Sequence, residues 1–96
     1  MPLYTMIGRD SEQGLALRKI HREAHLTELR PLAAAGRVTY AGPLRNDQGD
    51  PVGSIVIFEA PNLTEAKALA AADPYTKNGV FASVEVFETL QVFPER

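Results

Sequence analysis

The order of strand-like and helix-like patterns constrains this chain more than any other feature of its sequence. Four short apolar segments have strand character and two longer segments have helical periodicity. In chain order these segments are 3–8, 11–35, 37–42, 53–59, 63–72 and 80–93. Two β-α-β units with right-handed crossovers build one antiparallel sheet from such an order. The sequence therefore predicts an α+β, ferredoxin-like βαββαβ fold with two helices on one face of the sheet.

Turn and cap residues mark the ends of these segments. Gly36 supplies a stop after the first helix, and Pro31 predicts a kink shortly before it. Asn62 and Glu65 fit a capping box at the start of the second helix. Segment 43–52 is rich in turn formers, which predicts a loop and not a tight hairpin turn.

The length of the chain favours one domain and a partner. We expect the 96 residues to form a single domain, 1–96. A domain of this size buries a modest share of its surface, and the nearly continuous apolar run at 55–58 suits a strand covered on both faces. Helices cover only one of those faces, so the sequence predicts a homodimer that packs sheet to sheet.

Composition excludes several classes of function. There is no cysteine, which excludes disulfides, thiolate metal sites and a thiol nucleophile. The net charge is −2 and no basic run alternates with aromatic residues, so we expect no nucleic-acid partner. No apolar run is long enough to span a membrane, and no signal peptide is apparent, so we expect no membrane partner and a cytoplasmic location. No cofactor motif is present either, and we expect no cofactor.

Histidine is the side chain best suited to proton transfer near neutral pH, and the chain has two, His21 and His25. His21, His25 and Glu28 are spaced to share one face of the first helix, so a metal site is geometrically possible. The alternative is a set of solvated polar residues on a helix already rich in charge. No matching fourth ligand occurs elsewhere, and we expect no metal.

His25 has a second possible role. On a helical wheel it falls with Leu29 and Leu32 and not with Arg18 and Arg22, which predicts that it points towards the sheet. A histidine at the border of an apolar face is usually structural. It becomes a general base when a carboxylate at one ring nitrogen raises the basicity of the other.

Asp73 is the best partner for that histidine among the acidic residues. It lies at a helix end before Pro74, where it could equally cap the turn that the proline begins. One carboxylate can do both, since its two oxygens offer several acceptor sites. A separate, minor hypothesis is that Pro2 acts as an N-terminal amine base after removal of Met1.

Several short blocks together resemble the YCII-related (YciI-like) family. In chain order they are REAHL at 22–26, AGR at 35–37, AGPL at 41–44, GS at 53–54, AADPY at 71–75 and GV at 79–80. The resemblance implies a ferredoxin-like fold that dimerises by its sheets as a dimeric α/β barrel. It also implies an active site in which a histidine of the first helix pairs with an aspartate, and those positions are His25 and Asp73 here. Ser54, Tyr75 and Arg22 match further positions of the pattern. One related enzyme is a dehydrochlorinase of a chlorinated hydroxyquinol.

The function hypothesis joins the residues to the resemblance. We expect a cofactor-independent acid–base enzyme, an isomerase, lyase or dehydrochlorinase-like protein, acting on a small cyclic or aromatic metabolite. His25 would move the proton and Asp73 would hold its imidazole. The expected substrate contacts are Arg22, Tyr40, Ser54 and Tyr75. The alternative from another class is a non-catalytic domain that binds a small ligand or serves an accessory role.

Overall fold

The computed structural model describes residues 1–95 and has the predicted order of elements with one additional short helix. The elements are β1 Leu3–Asp10, α1 Gly14–Ala34, β2 Val38–Arg45, β3 Pro51–Glu59, α2 Leu63–Ala72, α3 Pro74–Lys77 and β4 Phe81–Thr89. The strands pair antiparallel in one sheet of order β2-β3-β1-β4, with β1 and β3 in the centre. This arrangement confirms the α+β, ferredoxin-like fold.

The core lies between the sheet and the helices. Alternate residues of the central strands point into it: Tyr4 pairs with Phe58 and Met6 pairs with Val56 across β1 and β3. All four are at most 4% exposed. Buried residues from α2, α3 and the start of β4 complete the cluster, namely Ala66, Ala70, Tyr75 and Phe81. The two-residue period of the strands therefore decides which side chains the helices cover.

The helix ends follow their local signals. α1 continues three residues beyond Pro31, and Gly36 follows it with a φ of 74°, a conformation that favours glycine. At the start of α2, the Asn62 side chain accepts the N–H of Glu65 at 2.9 Å. Within residues 1–95, no helix is both long enough and apolar enough to cross a membrane.

The connection between β2 and β3 is a short hairpin, and the prediction of a loop over 43–52 was wrong. Both strands extend into this segment and leave only residues 46–50 between them. The Asn46 side chain accepts two backbone N–H groups of the turn at 3.0 Å, and Gly49 has a φ of 83°. Pro43 is tolerated within β2 because β2 is an edge strand. Proline has no backbone N–H, and on an edge strand that group is not needed for pairing on the solvent side.

A register shift in β2 changes the face on which Tyr40 lies. Val38 pairs with Phe58, but Tyr40, two residues on, pairs with Ile57, only one residue back along β3. Because of this bulge, Val38 faces the core and Tyr40 faces the opposite side of the sheet, where it is 54% exposed. The simple alternation predicted both on one face, and that prediction was wrong.

The face of the sheet opposite the helices carries many apolar residues, together with the charged residues Arg9, Glu59 and Glu85. The register places on it residues that are half-buried or exposed, namely Leu3, Ile7, Tyr40, Leu44, Ile55, Ile57 and Phe87. We call these residues the open face. A contiguous apolar surface of this kind marks an interaction site more often than a free surface.

Candidate active site

His25 of α1 and Asp73 at the end of α2 meet in the interior. Nδ1 of His25 lies 2.8 Å from Oδ1 and 2.9 Å from Oδ2 of Asp73, and the two residues are 8% and 7% exposed. A carboxylate only accepts hydrogen bonds, so Nδ1 carries the proton in the neutral ring and Nε2 keeps its lone pair. Within the described chain, no protein group hydrogen-bonds to Nε2, so that nitrogen is available to a ligand.

Asp73 also organises the chain around it. Its Oδ1 accepts the backbone N–H of Tyr75 at 2.8 Å, and Pro74 occupies the first position of α3. The same carboxylate therefore caps a helix and contacts the histidine. These are the two roles considered for Asp73 from its position in the sequence.

Tyr75 forms a wall on one side of the imidazole. The rings of Tyr75 and His25 are stacked, with centroids 3.9 Å apart and planes 3° apart. The rings of Tyr75 and Phe81 meet edge to face, with centroids 5.9 Å apart. Burial raises the pKa of the Tyr75 phenol above its ordinary value, and the opposing influence of Arg18 and Arg22 is smaller. The wall is thus uncharged at neutral pH and leaves the edge of the imidazole open.

Arg18 is a buried cation that supports the site. Its Nε and Nη2 each donate to the Asp10 carboxylate at 2.8 Å, and Nη2 also donates to Ser54 Oγ at 2.9 Å. Its guanidinium carbon lies 5.1 Å from the centre of the Tyr75 ring. The helical wheel separated Arg18 from His25, and this was wrong: seven residues are two helical turns, which return the chain to the same face. That spacing was the signal by which Arg18 could have been found.

A cleft of about 470 Å³ lies beside the imidazole, between α1 and the edge of the sheet. Apolar residues from α1, β2 and β3 form most of its wall. Its polar lining consists of Arg18, Lys19, Arg22, His25, Ser54 and Tyr75. Asp73 does not line this cleft and instead borders a separate, mostly apolar cavity of about 60 Å³. The imidazole of His25 thus forms part of the cleft wall, whereas its carboxylate partner does not.

Of the five predicted site residues other than Asp73, the structure brings four together in the cleft. His25, Arg22, Ser54 and Tyr75 line the cleft. Tyr40 does not line it, because the bulge in β2 places that side chain on the open face. Tyr40 therefore lies outside the cleft that His25 borders, and its contact with a substrate stays a prediction from the sequence.

The other hypotheses from the sequence have little support in this geometry. Residues 1–95 contain no group of three or more acidic or histidine side chains that could hold a metal, and Nδ1 of His25 already faces Asp73. Pro2 is exposed, does not line the cleft, and accepts the backbone N–H of Ala60 through its carbonyl at 3.2 Å.

Comparison of the chain with known families decides its membership. A model of the YCII-related domain matches residues 2–90, which is nearly the whole chain. The chain belongs to the YCII-related family. Protein YciI of Escherichia coli O6:H1 is 39% identical over 97 residues, which cover 95% of this chain and 99% of that protein. An uncharacterized protein of Haemophilus influenzae is 38% identical over 96 residues, with 94% and 98% covered.

Solved structures agree with this assignment. One is 5-chloro-2-hydroxyhydroquinone dehydrochlorinase (TftG) from Burkholderia phenoliruptrix in complex with 2,5-dihydroxybenzoquinone. It superimposes with a TM-score of 0.83 at 29% identity and covers 98% of this chain and 99% of that one. A NIPSNAP family protein from Agrobacterium tumefaciens has a TM-score of 0.55 at 17% identity, with 97% and 94% covered, and shows the fold alone. The YCII-related chain thus has the ferredoxin-like fold of the dimeric α/β barrels.

Proposed function

We propose that this YCII-related protein is an enzyme that uses His25 and Asp73 for general acid–base chemistry on a small cyclic or aromatic metabolite, without a cofactor. The observation that carries the proposal is the orientation of the imidazole: Nδ1 faces the Asp73 carboxylate and the ring borders the cleft. In such an arrangement Asp73 holds the ring in place and is positioned to stabilise the imidazolium that forms when Nε2 takes a proton.

The proposed chemistry is proton transfer coupled to isomerisation or elimination. In an elimination, Nε2 takes a proton from the substrate while the leaving group departs with its bonding electrons. In an isomerisation, the imidazolium returns the proton to a different atom. General acid–base help of this kind is typically worth about 10²–10⁴-fold in rate.

Three other residues are proposed to contact the substrate. Ser54 Oγ accepts a hydrogen bond from Arg18, so its own hydroxyl hydrogen remains available to a ligand in the cleft. Tyr75 offers the buried aromatic wall, and Arg22 offers a cation at the cleft.

The similarity to the dehydrochlorinase TftG indicates which compound to test first. That enzyme is 29% identical over nearly the whole chain, and its structure holds 2,5-dihydroxybenzoquinone. We propose 5-chloro-2-hydroxyhydroquinone as the first substrate to assay, followed by other halogenated hydroxyquinols and small cyclic enols. Chloride release and the visible absorbance of the quinone product follow the first reaction directly.

The test compares matched histidine variants once turnover of one of these compounds is measured. His25→Ala and Asp73→Asn should each lower kcat by about 10²-fold or more. His21→Ala is the control: it removes the other histidine of the same helix, which does not line the cleft, and should retain kcat within about twofold. Full turnover by His25→Ala would show that the dyad is structural.

A non-catalytic ligand-binding or accessory domain remains the second candidate. The observation that favours it is the helix cap: Asp73 has a structural partner in the Tyr75 N–H, independent of any chemistry. Under this alternative a ligand shifts the NMR signals of His25 and is itself left chemically unchanged. Turnover that depends on His25 would eliminate it.

We also propose that the protein is a homodimer joined through the open face. The apolar character of this face and the absence of a helix over it, within residues 1–95, support the proposal. The wild-type protein should sediment as a dimer at micromolar concentration, and Phe87→Glu should sediment as a monomer. Leu63→Glu, at an exposed position of α2 away from this face, is the control and should remain dimeric. A monomeric wild type would refute the proposal. A cytoplasmic location stays a prediction from the sequence.

A further inference from the structure

The cleft beside His25 is positively charged, although the chain as a whole is not. α1 contributes Arg18, Lys19 and Arg22 to its lining, and no carboxylate lines it. Among the residues that the structure describes, neither Lys19 nor Arg22 has a carboxylate oxygen within 4.0 Å. The net charge of the chain is −2, so this local excess of cations does not follow from overall composition.

Arg18 adds a fixed donor to this charge. Its Nε and Nη2 are taken by Asp10 and Ser54, and its side chain is 9% exposed. Its guanidinium carbon also lies 5.1 Å from the centre of the Tyr75 ring. The guanidinium is therefore held in one orientation at the cleft, and little of its side-chain entropy is lost when a ligand binds beside it.

The remainder of the lining favours an organic ligand. Most of the wall is apolar, with Leu26, Leu29 and Pro43 among its residues, and its volume of about 470 Å³ lies within the usual range for small-molecule sites. An inorganic anion has no apolar surface to bury against such a wall, whereas an organic ligand has.

We propose that the substrate is an organic anion, a carboxylate, enolate or phenolate. Its charged oxygen lies towards Arg18, Lys19 and Arg22, and its reacting atom lies towards Nε2 of His25. The inference rests on the proposed function, because it concerns the same site, and it assigns that site a substrate class. It also assigns the three cations a role during the reaction. When His25 takes a proton, negative charge remains on the substrate, and the nearby cations stabilise that charge.

The experiment measures binding and needs no turnover. Isothermal titration calorimetry at pH 7.5 compares 2,5-dihydroxybenzoquinone, a vinylogous acid that is anionic at this pH, with its neutral analogue 2,5-dimethoxybenzoquinone. The chain has no cysteine, so no thiol can react covalently with either quinone during the titration. The double variant Lys19→Gln/Arg22→Gln removes two cations of the cleft. Lys67→Gln/Arg45→Gln removes the same two residue types from exposed positions outside it and is the matched control.

The wild type should bind the anion at least about tenfold more tightly than the neutral ether. The cleft variant should lose about tenfold in affinity for the anion and little for the ether, and the control variant should lose less than about twofold. Equal affinity for the two quinones, equal losses in the two variants, or no binding of the anion at millimolar concentration would each overturn the inference. None of these results would contradict the proposed function itself, since His25 could carry out acid–base catalysis on a neutral substrate. Conversely, anion binding that depends on Lys19 and Arg22 would survive a finding that His25 is not catalytic.

Discussion

The buried pair of Arg18 and Asp10 provides a sharp test of what holds the site together. The side chains are 9% and 8% exposed and share two hydrogen bonds of 2.8 Å. Arg18→Met keeps much of the apolar volume of the side chain but leaves the Asp10 carboxylate buried without its cation. Removing one partner of such a pair costs about 3–5 kcal/mol. In a domain of this size that loss lowers the melting temperature by at least about 12 °C.

The assay is urea unfolding followed by far-UV circular dichroism at pH 7 and one fixed protein concentration, since the proposed dimer would make stability depend on concentration. The double variant Asp10→Asn/Arg18→Met removes both charges and should recover about 2 kcal/mol or more relative to Arg18→Met. Arg22→Met, the same replacement at an exposed position one turn along α1, should cost less than about 0.5 kcal/mol. A loss below about 1 kcal/mol for Arg18→Met, or strict additivity in the double variant, would refute the reasoning.

Three further predictions concern single residues. Burial raises the pKa of Tyr75, so its neutral form stabilises the fold below pH 10. That contribution is lost as the pH rises through the pKa of the folded state. The variant Tyr75→Phe should therefore show a smaller decline of the urea midpoint above pH 10 than the wild type. A Cβ at position 53 would lie 2.6 Å from the carbonyl oxygen of Gly8 on β1, so Gly53→Ala should cost about 1–3 kcal/mol by thermal unfolding, and an unchanged melting temperature would contradict the close approach. Asn62→Ala removes the cap that accepts the Glu65 N–H and should cost about 1 kcal/mol, whereas Asn62→Ser should restore most of it.

The order of the elements was predictable because it depends on local periodicity. Strand alternation and helical spacing are properties of neighbouring residues, and the stop at Gly36 and the cap at Asn62 depend on a few positions each. The short helix α3 was less visible, since four residues carry no periodicity. Segment 43–52 misled because both of its prolines are compatible with strands: Pro43 lies in the edge strand β2, and Pro51 is the first residue of β3.

The errors within the site come from contacts and a register shift that simple periodicity does not reveal. Arg18 looks like a solvated residue until Asp10, at the end of β1, is brought against it by the fold. Tyr40 was assigned to the wrong face because one extra residue in β2 reverses the alternation after Val38, and no turn residue marks that bulge. The meeting of His25 and Asp73 was anticipated from chemistry and family resemblance, but their spacing of 48 residues does not imply it.

The shared oxygen of Asp73 couples the protonation of the site to the backbone. Oδ1 accepts both the imidazole Nδ1–H and the amide hydrogen of Tyr75. When the imidazole gains a proton, the negative charge on this carboxylate is drawn towards the ring, and its hold on the amide weakens. The amide of Tyr75 is therefore a built-in spectroscopic probe: its chemical shift and its exchange rate with deuterium should follow the charge of the pair in the resting protein, before any ligand is known.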